Sequence, residues 1–163
     1  MENTDLLLSQ VILPQAVDFE LKGLSQKEEV IEHLADRLEQ AGVLSSAHEF
    51  ISAVYEREKQ GPTYMKFHVA FPHGKSSSVL QAAVAFGRSQ SGIQYDNEFG
   101  GGVANLIFLI AIPEDMQATA YIDVLKRLAR LLMQESFREE ALQVDSYEAL
   151  IAAVARGEVL VQD

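Results

Sequence analysis

Apolar positions recur at helical spacing near both ends of the chain and at strand spacing, or in unbroken runs, between them. Val30, Ile31, Leu34, Leu38 and Ala41 share one helical face. Ser25 and Glu28 precede them as a capping box and Gly42 follows as a stop, which predicts a first helix. Ser46 and Glu49 open a second, with Phe50, Ile51, Val54 and Tyr55 on one side and its end before Gly61-Pro62. Phe67 to Phe71 and Ala82 to Phe86 read as strands, with turn signals at Ser76 to Ser78 and Ser89 to Gly92. A Gly100-Gly101-Gly102 loop leads into Val103 to Ile112, a long buried strand halted by Pro113. Helical spacing returns from Thr119 to Met133, with Ile122, Leu125, Leu128, Ala129 and Leu132 facing a core. Ser136 with Glu139, and Asp145 with Glu148, predict two further capped helices, the last stopped by Gly157. A weaker strand pattern covers Val17 to Leu21. Helices first, strands in the middle and helices last predict an α/β fold: a three-layer α/β/α sandwich whose mixed central sheet carries helices on both faces.

Composition narrows the chemistry. Of 163 residues, 48% are hydrophobic and 23% charged, as in ordinary soluble globular proteins, and no repeat or linker divides them, so one domain is expected. The net charge of −11 opposes binding to phosphate backbones and anionic membranes, so a nucleic-acid partner is excluded. With no cysteine, disulfides, thiol catalysis and thiolate metal sites are also excluded. MENTDLLLSQ has no early Lys or Arg, unlike a secretory signal, and the longest apolar run is too short to span a bilayer. A cytoplasmic protein without membrane insertion is expected.

Histidine is then the side chain best suited to nucleophilic work near neutral pH. His33 and His48 fall among Glu residues on the first two helices and read as surface positions. His68 falls inside the Phe67 to Phe71 strand, on the face shared with Ala70. His73 stands apart. It follows Phe71-Pro72 at the carboxyl end of that strand and precedes Gly74, a loop position where open α/β sheets place ligands. Local charge strengthens this. From Arg57 to Arg88 there are five basic residues and one acidic, Glu58, so the segment is +4 while the remainder carries −15. A basic surround suits a site that handles phosphate.

The run Arg57 to Lys75, REKQGPTYMKFHVAFPHGK, resembles the active-site signature of phosphotransferase-system enzyme IIA domains of the fructose/mannitol type: Arg-Glu, Gly-x-Thr, then an apolar strand ending in Pro-His-Gly. IFLIAIPE (Ile107 to Glu114) and LKRLARLL (Leu125 to Leu132) extend the resemblance, and a single domain with its core at about 10–157 follows from it. The resemblance implies that His73 carries the phosphoryl group, received from phospho-HPr and passed to an enzyme IIB on a separate chain that serves a membrane IIC permease. It implies that Arg57 stabilises the phosphoryl charge, that Thr63, His68, Gly74, Lys75 and Tyr121 contribute to binding, and that no cofactor or metal is needed. Two features depart from the pattern. The usual glycine-rich stretch before the strand is Tyr64-Met65-Lys66-Phe67-His68 here, and a second family histidine falls on Tyr121, with His68 as a possible substitute. Three other readings stay open: a regulatory relative of the nitrogen-related branch, a non-phosphorylated relative like the cytoplasmic domain of anion exchangers, and a metal site built on His68 and His73.

Overall fold

The computed structural model describes residues 7–97 and 100–161. They fall into two compact units: Leu13–Glu114, and the residues up to Ile12 together with those from Asp115 onward.

The first unit is built on a mixed sheet. Its strands are β1 (Ile12–Asp18), β2 (Tyr64–Met65), β3 (Val69–Ala70), β4 (His73–Ser76), β5 (Ala83–Asn97) and β6 (Gly100–Pro113), in the order β1-β5-β6-β3-β2 with β4 also paired to β6. Strand β6 is the spine, antiparallel to β5 and parallel to β3 and β4. Its sequence explains this role, because both alternating sets of side chains are apolar and buried, as an inner strand requires. Ile107, Leu109 and Ala111 join one core with Leu34 and Leu38 of α2 (Lys27–Gln40) and Phe50 and Val54 of α3 (Ala47–Glu58). On the opposite face Phe108 meets Phe86 edge-on at 5.0 Å. Each fully buried Leu or Phe of this kind contributes about 1.5–3 kcal/mol.

The predicted helices α2 and α3 are present, with α3 capped as expected: Ser46 Oγ accepts from Glu49 N at 3.2 Å. The α2 capping box sits one residue later than Ser25 and Glu28. Glu29 Oε1 accepts from the backbone N–H of both Ser25 (2.9 Å) and Gln26 (3.0 Å), so Gln26 is the cap. Strand structure differs more. Ser89 to Gly92 is a bulge inside a continuous β5, because Asn105 Nδ2 bridges to the Ser89 carbonyl at 2.8 Å and pairing resumes at Ile93. Gly100 to Gly102 belongs to β6 for the same reason: it pairs with β5. The early strand starts at Ile12 rather than Val17. Phe67 to Phe71 shrinks to β3, since Phe67 and His68 both take left-handed backbone conformations, φ 72° and 65°.

The second unit contains α1 (Leu8–Val11), α4 (Ala118–Leu132), α5 (Glu135–Gln143) and α6 (Tyr147–Val161). The buried stripe of α4 is Val124, Leu128, Leu131 and Leu132, whereas Ile122, expected inside, is exposed. Ser136 lies within α5, whose cap is Gln134, and Ser146 rather than Asp145 caps α6 by accepting from Ala149 N at 3.1 Å. Gly157 does not end α6. It lies inside the helix, where a Cβ would come within 2.1 Å of Leu131 Cδ1, so it serves the close approach of α6 to α4. Short α1 is held by Glu158, which accepts from Leu8 N at 2.5 Å and Ser9 N at 3.1 Å and so satisfies its first donors.

Candidate functional site

His73 opens β4 instead of sitting in a loop. Pro72 ends the preceding connection, its carbonyl accepts from Ile110 N at 2.9 Å, and His73 itself pairs with Ile110. The side chain is held on two sides. Its Nδ1 lies 3.1 Å from the Phe71 carbonyl, and its ring stacks on the Phe71 ring at 5.9 Å and 21°. A carbonyl can only accept, so Nδ1 carries the proton in the neutral ring and Nε2 presents its lone pair. Burial pushes the His73 pKa below its ordinary value, the Phe71 carbonyl opposes that shift, and the positive charge of Arg57 adds to it. The result is a neutral imidazole of fixed tautomer, with 6% of its surface exposed. Behind it, Gly74 makes room: a Cβ there would meet Val54 Cγ2 at 2.9 Å and Val54 N at 3.0 Å, so only glycine lets β4 lie this close to α3.

Arg57 comes from the last turn of α3 and donates from Nη1 to the Gly61 carbonyl at 3.1 Å. Its neighbour Glu58 points the other way, into the interior. There the Thr63 hydroxyl donates to Glu58 Oε2, Tyr95 OH donates to the same oxygen at 3.2 Å, and Lys27 Nζ lies 3.6 Å from Oε1. Burial, and the Glu58 charge after it, hold the Tyr95 phenol well above its ordinary pKa, so it stays a donor. Thr63 is fully buried, and its hydroxyl is turned to Glu58 and Tyr95 rather than outward as a ligand. Sequence reasoning gave Glu58 no role of its own and did not single out Tyr95, Lys27 or the Phe71 carbonyl. Glu58 was detectable as the lone acid in a basic run; Tyr95 carried no local signal.

A buried histidine that feels the positive charge of Arg57, on a basic segment, is an arrangement that suits an anionic group. A family model described as "Phosphoenolpyruvate-dependent sugar phosphotransferase system, EIIA 2" matches residues 10–157. The chain belongs to this EIIA family. The fructose-specific EIIABC component of the Bacillus subtilis phosphotransferase system is 36% identical over 93% of this chain, which spans only 22% of that longer protein. Among solved structures, the nitrogen regulatory protein IIA-Ntr from Neisseria meningitidis superposes with a TM-score of 0.79 at 29% identity, covering 91% of this chain and 99% of the other. Enzyme IIA-mannitol of Escherichia coli, solved in complex with phosphorylated enzyme IIB-mannitol, does so with a TM-score of 0.72 at 25% identity, covering 89% and 97%. The mixed α/β fold expected from the sequence is the fold of these EIIA structures.

Within this EIIA domain the remaining expected residues are His68, Lys75 and Tyr121. His68 is exposed, and its Nδ1 is 2.9 Å from the Val103 carbonyl. Residue Val69 pairs with Leu106 and His73 with Ile110, an offset of four residues along β6. At about 3.3 Å per residue that offset is roughly 13 Å along the backbone, and the His68 ring is tied to the Val103 carbonyl of β6. No cluster of three metal-binding side chains occurs among the described residues. Lys75 is exposed on β4, two positions past His73. Tyr121 lies half-buried in the first turn of α4, in the second unit. In the bulky stretch Tyr64 to His68 the backbone makes two successive left-handed residues, Phe67 and His68. No described helix is long and apolar enough to cross a membrane.

Proposed function

We propose that this EIIA domain is a cytoplasmic phosphocarrier. The observation that carries the reading is the His73 ring, held neutral with Nδ1–H on the Phe71 carbonyl and Nε2 unprotonated, in the field of Arg57. The Nε2 lone pair attacks phosphorus on phospho-HPr. As the new N–P bond forms, the bond from phosphorus to the donor breaks and its electron pair leaves with the donor. Arg57 offsets negative charge on the equatorial oxygens during this step and during the reverse displacement that hands the group to an enzyme IIB partner. Fixing the tautomer beforehand spares the transition state any reorganisation of the ring. The fructose-specific relative supports a role in sugar uptake through IIB and a IIC permease.

The direct test offers the protein phosphoenolpyruvate, enzyme I and HPr, and locates the label by mass spectrometry. One acid-labile phosphate on His73 is expected, absent in His73→Ala and slowed in Arg57→Ala; label persisting without His73 would sink the reading. A regulatory role, in which phosphorylation of the same histidine changes partner binding, is favoured by the likeness to IIA-Ntr over nearly the whole of both chains. Candidate IIB domains separate the two. Rapid loss of label to one of them supports transport, and retention against all of them supports regulation.

A further inference from the structure

Four polar side chains, Lys27, Glu58, Thr63 and Tyr95, form a cluster that the transfer itself does not use. A buried ion pair with two hydroxyls is a costly way to fill a core, and apolar groups of similar shape hold a fold at least as well. The position of this cluster gives it another use. Glu58 is the chain neighbour of Arg57, at the end of α3. Thr63, which donates to Glu58, closes the Gly61-Pro62-Thr63 segment that follows α3, and the Gly61 carbonyl in that segment is the acceptor for Arg57 Nη1. The carbonyl of the same Thr63 accepts from Phe71 N at 2.9 Å, and the Phe71 carbonyl holds His73 Nδ1. One residue therefore joins two branches: its hydroxyl leads to Arg57 through Glu58 and this segment, its carbonyl leads to His73 through Phe71. Tyr95 OH, 3.1 Å from the Thr63 hydroxyl and 3.2 Å from Glu58 Oε2, locks the junction from β5.

We propose that Thr63 and Tyr95, acting through buried Glu58, are positioning residues that hold the Arg57 guanidinium in register with the His73 ring. The inference rests on the phosphocarrier reading for its consequence, though not for its geometry. Without the Thr63 hydroxyl, Glu58 and the segment after α3 lose their tie, the Gly61 carbonyl shifts, and Arg57 no longer meets the incoming phosphoryl group in a fixed place.

The test is a double-mutant cycle on the full chain, with Thr63→Val, Thr63→Ser, Tyr95→Phe and Arg57→Ala. Phosphorylation of His73 by phospho-HPr is expected to slow about tenfold in Thr63→Val, since displacement of a positioned group by a fraction of an ångström costs rate on that scale. Thr63→Ser restores the rate and Tyr95→Phe shows a smaller loss. In the Arg57→Ala background the Thr63→Val change costs less than about twofold, because its effect passes through the missing guanidinium. Losses that multiply equally in both backgrounds, or none at all in a protein that labels normally, overturn the proposal. NMR titration of the His73 ring supplies a readout independent of transfer. If Thr63 positions Arg57, the His73 pKa in Thr63→Val rises toward its value in Arg57→Ala; an unchanged value overturns the inference even should the wild-type chain accept no phosphate. Failure of wild-type labelling alone counts against the phosphocarrier reading instead.

Discussion

Replacing Gly74 with alanine adds a single methyl group at the most crowded point behind His73. Its Cβ would stand 2.9 Å from Val54 Cγ2, 3.0 Å from Val54 N and 3.3 Å from Ala53 C. Ordinary carbon contacts lie at about 3.5–4.0 Å, so β4 must withdraw from α3 by roughly 0.5–1 Å. Two of the three clashing atoms are backbone atoms of a packed helix, which cannot rotate away. Overpacking of this kind costs about 1–3 kcal/mol, and the backbone contacts place Gly74→Ala in the upper half of that range. The same displacement carries His73, the adjacent residue, out of line with Arg57, and misplacement by about 1 Å lowers a transfer rate on the order of 100-fold. Urea denaturation measures the first quantity and the initial rate of phosphorylation by phospho-HPr the second. A variant within about 0.5 kcal/mol of wild type that also labels at the wild-type rate would refute the close-packing argument.

Other expectations follow from the same geometry. The His73 pKa is lowered by burial and by Arg57, so the unfolded chain binds the proton more readily. Stability therefore rises with pH below about 6.5 with a slope of at most about 1.4 kcal/mol per unit, and denaturation across pH 5–7 should show this component vanish in His73→Ala. Ser46→Ala removes the acceptor for Glu49 N and should cost about 1 kcal/mol by thermal unfolding while leaving His73 labelling unchanged. Phe67→Gly relieves a left-handed phenylalanine, φ 72° and 53% exposed, and should leave the protein as stable or more stable by up to about 1 kcal/mol; a loss above that size would show that the ring holds the turn.

Segments whose structure depends on local periodicity were readable in the sequence. Helices α2, α3 and α4 and the spine strand β6 each follow from their own apolar pattern, and Ser46 from its spacing to Glu49. Boundaries were less so. A cap is decided by which carboxylate reaches which N–H, so Glu29 could take the place of Glu28 one residue along. Ser89 to Gly92 has the composition of a turn, yet pairing with β6 on either side of it keeps the strand continuous. Gly157 reads as a stop only until Leu131 is seen against it.

For the site, the sequence by itself singled out the candidate groups: a histidine between proline and glycine and a locally basic segment within an acidic chain, with Arg57 added by the family resemblance. Residue type and order suffice for that, because they fix which groups exist and where charge concentrates. Tertiary structure decided which of those groups meet. It placed His73 on a strand with Nδ1 tied to Phe71, turned Thr63 inward to Glu58, tied His68 to the Val103 carbonyl, and brought Tyr95 from 32 residues away into the same buried cluster as Thr63. Those outcomes depend on contacts between distant segments and on the cost of burying unpaired polar groups, and no local pattern encodes either one.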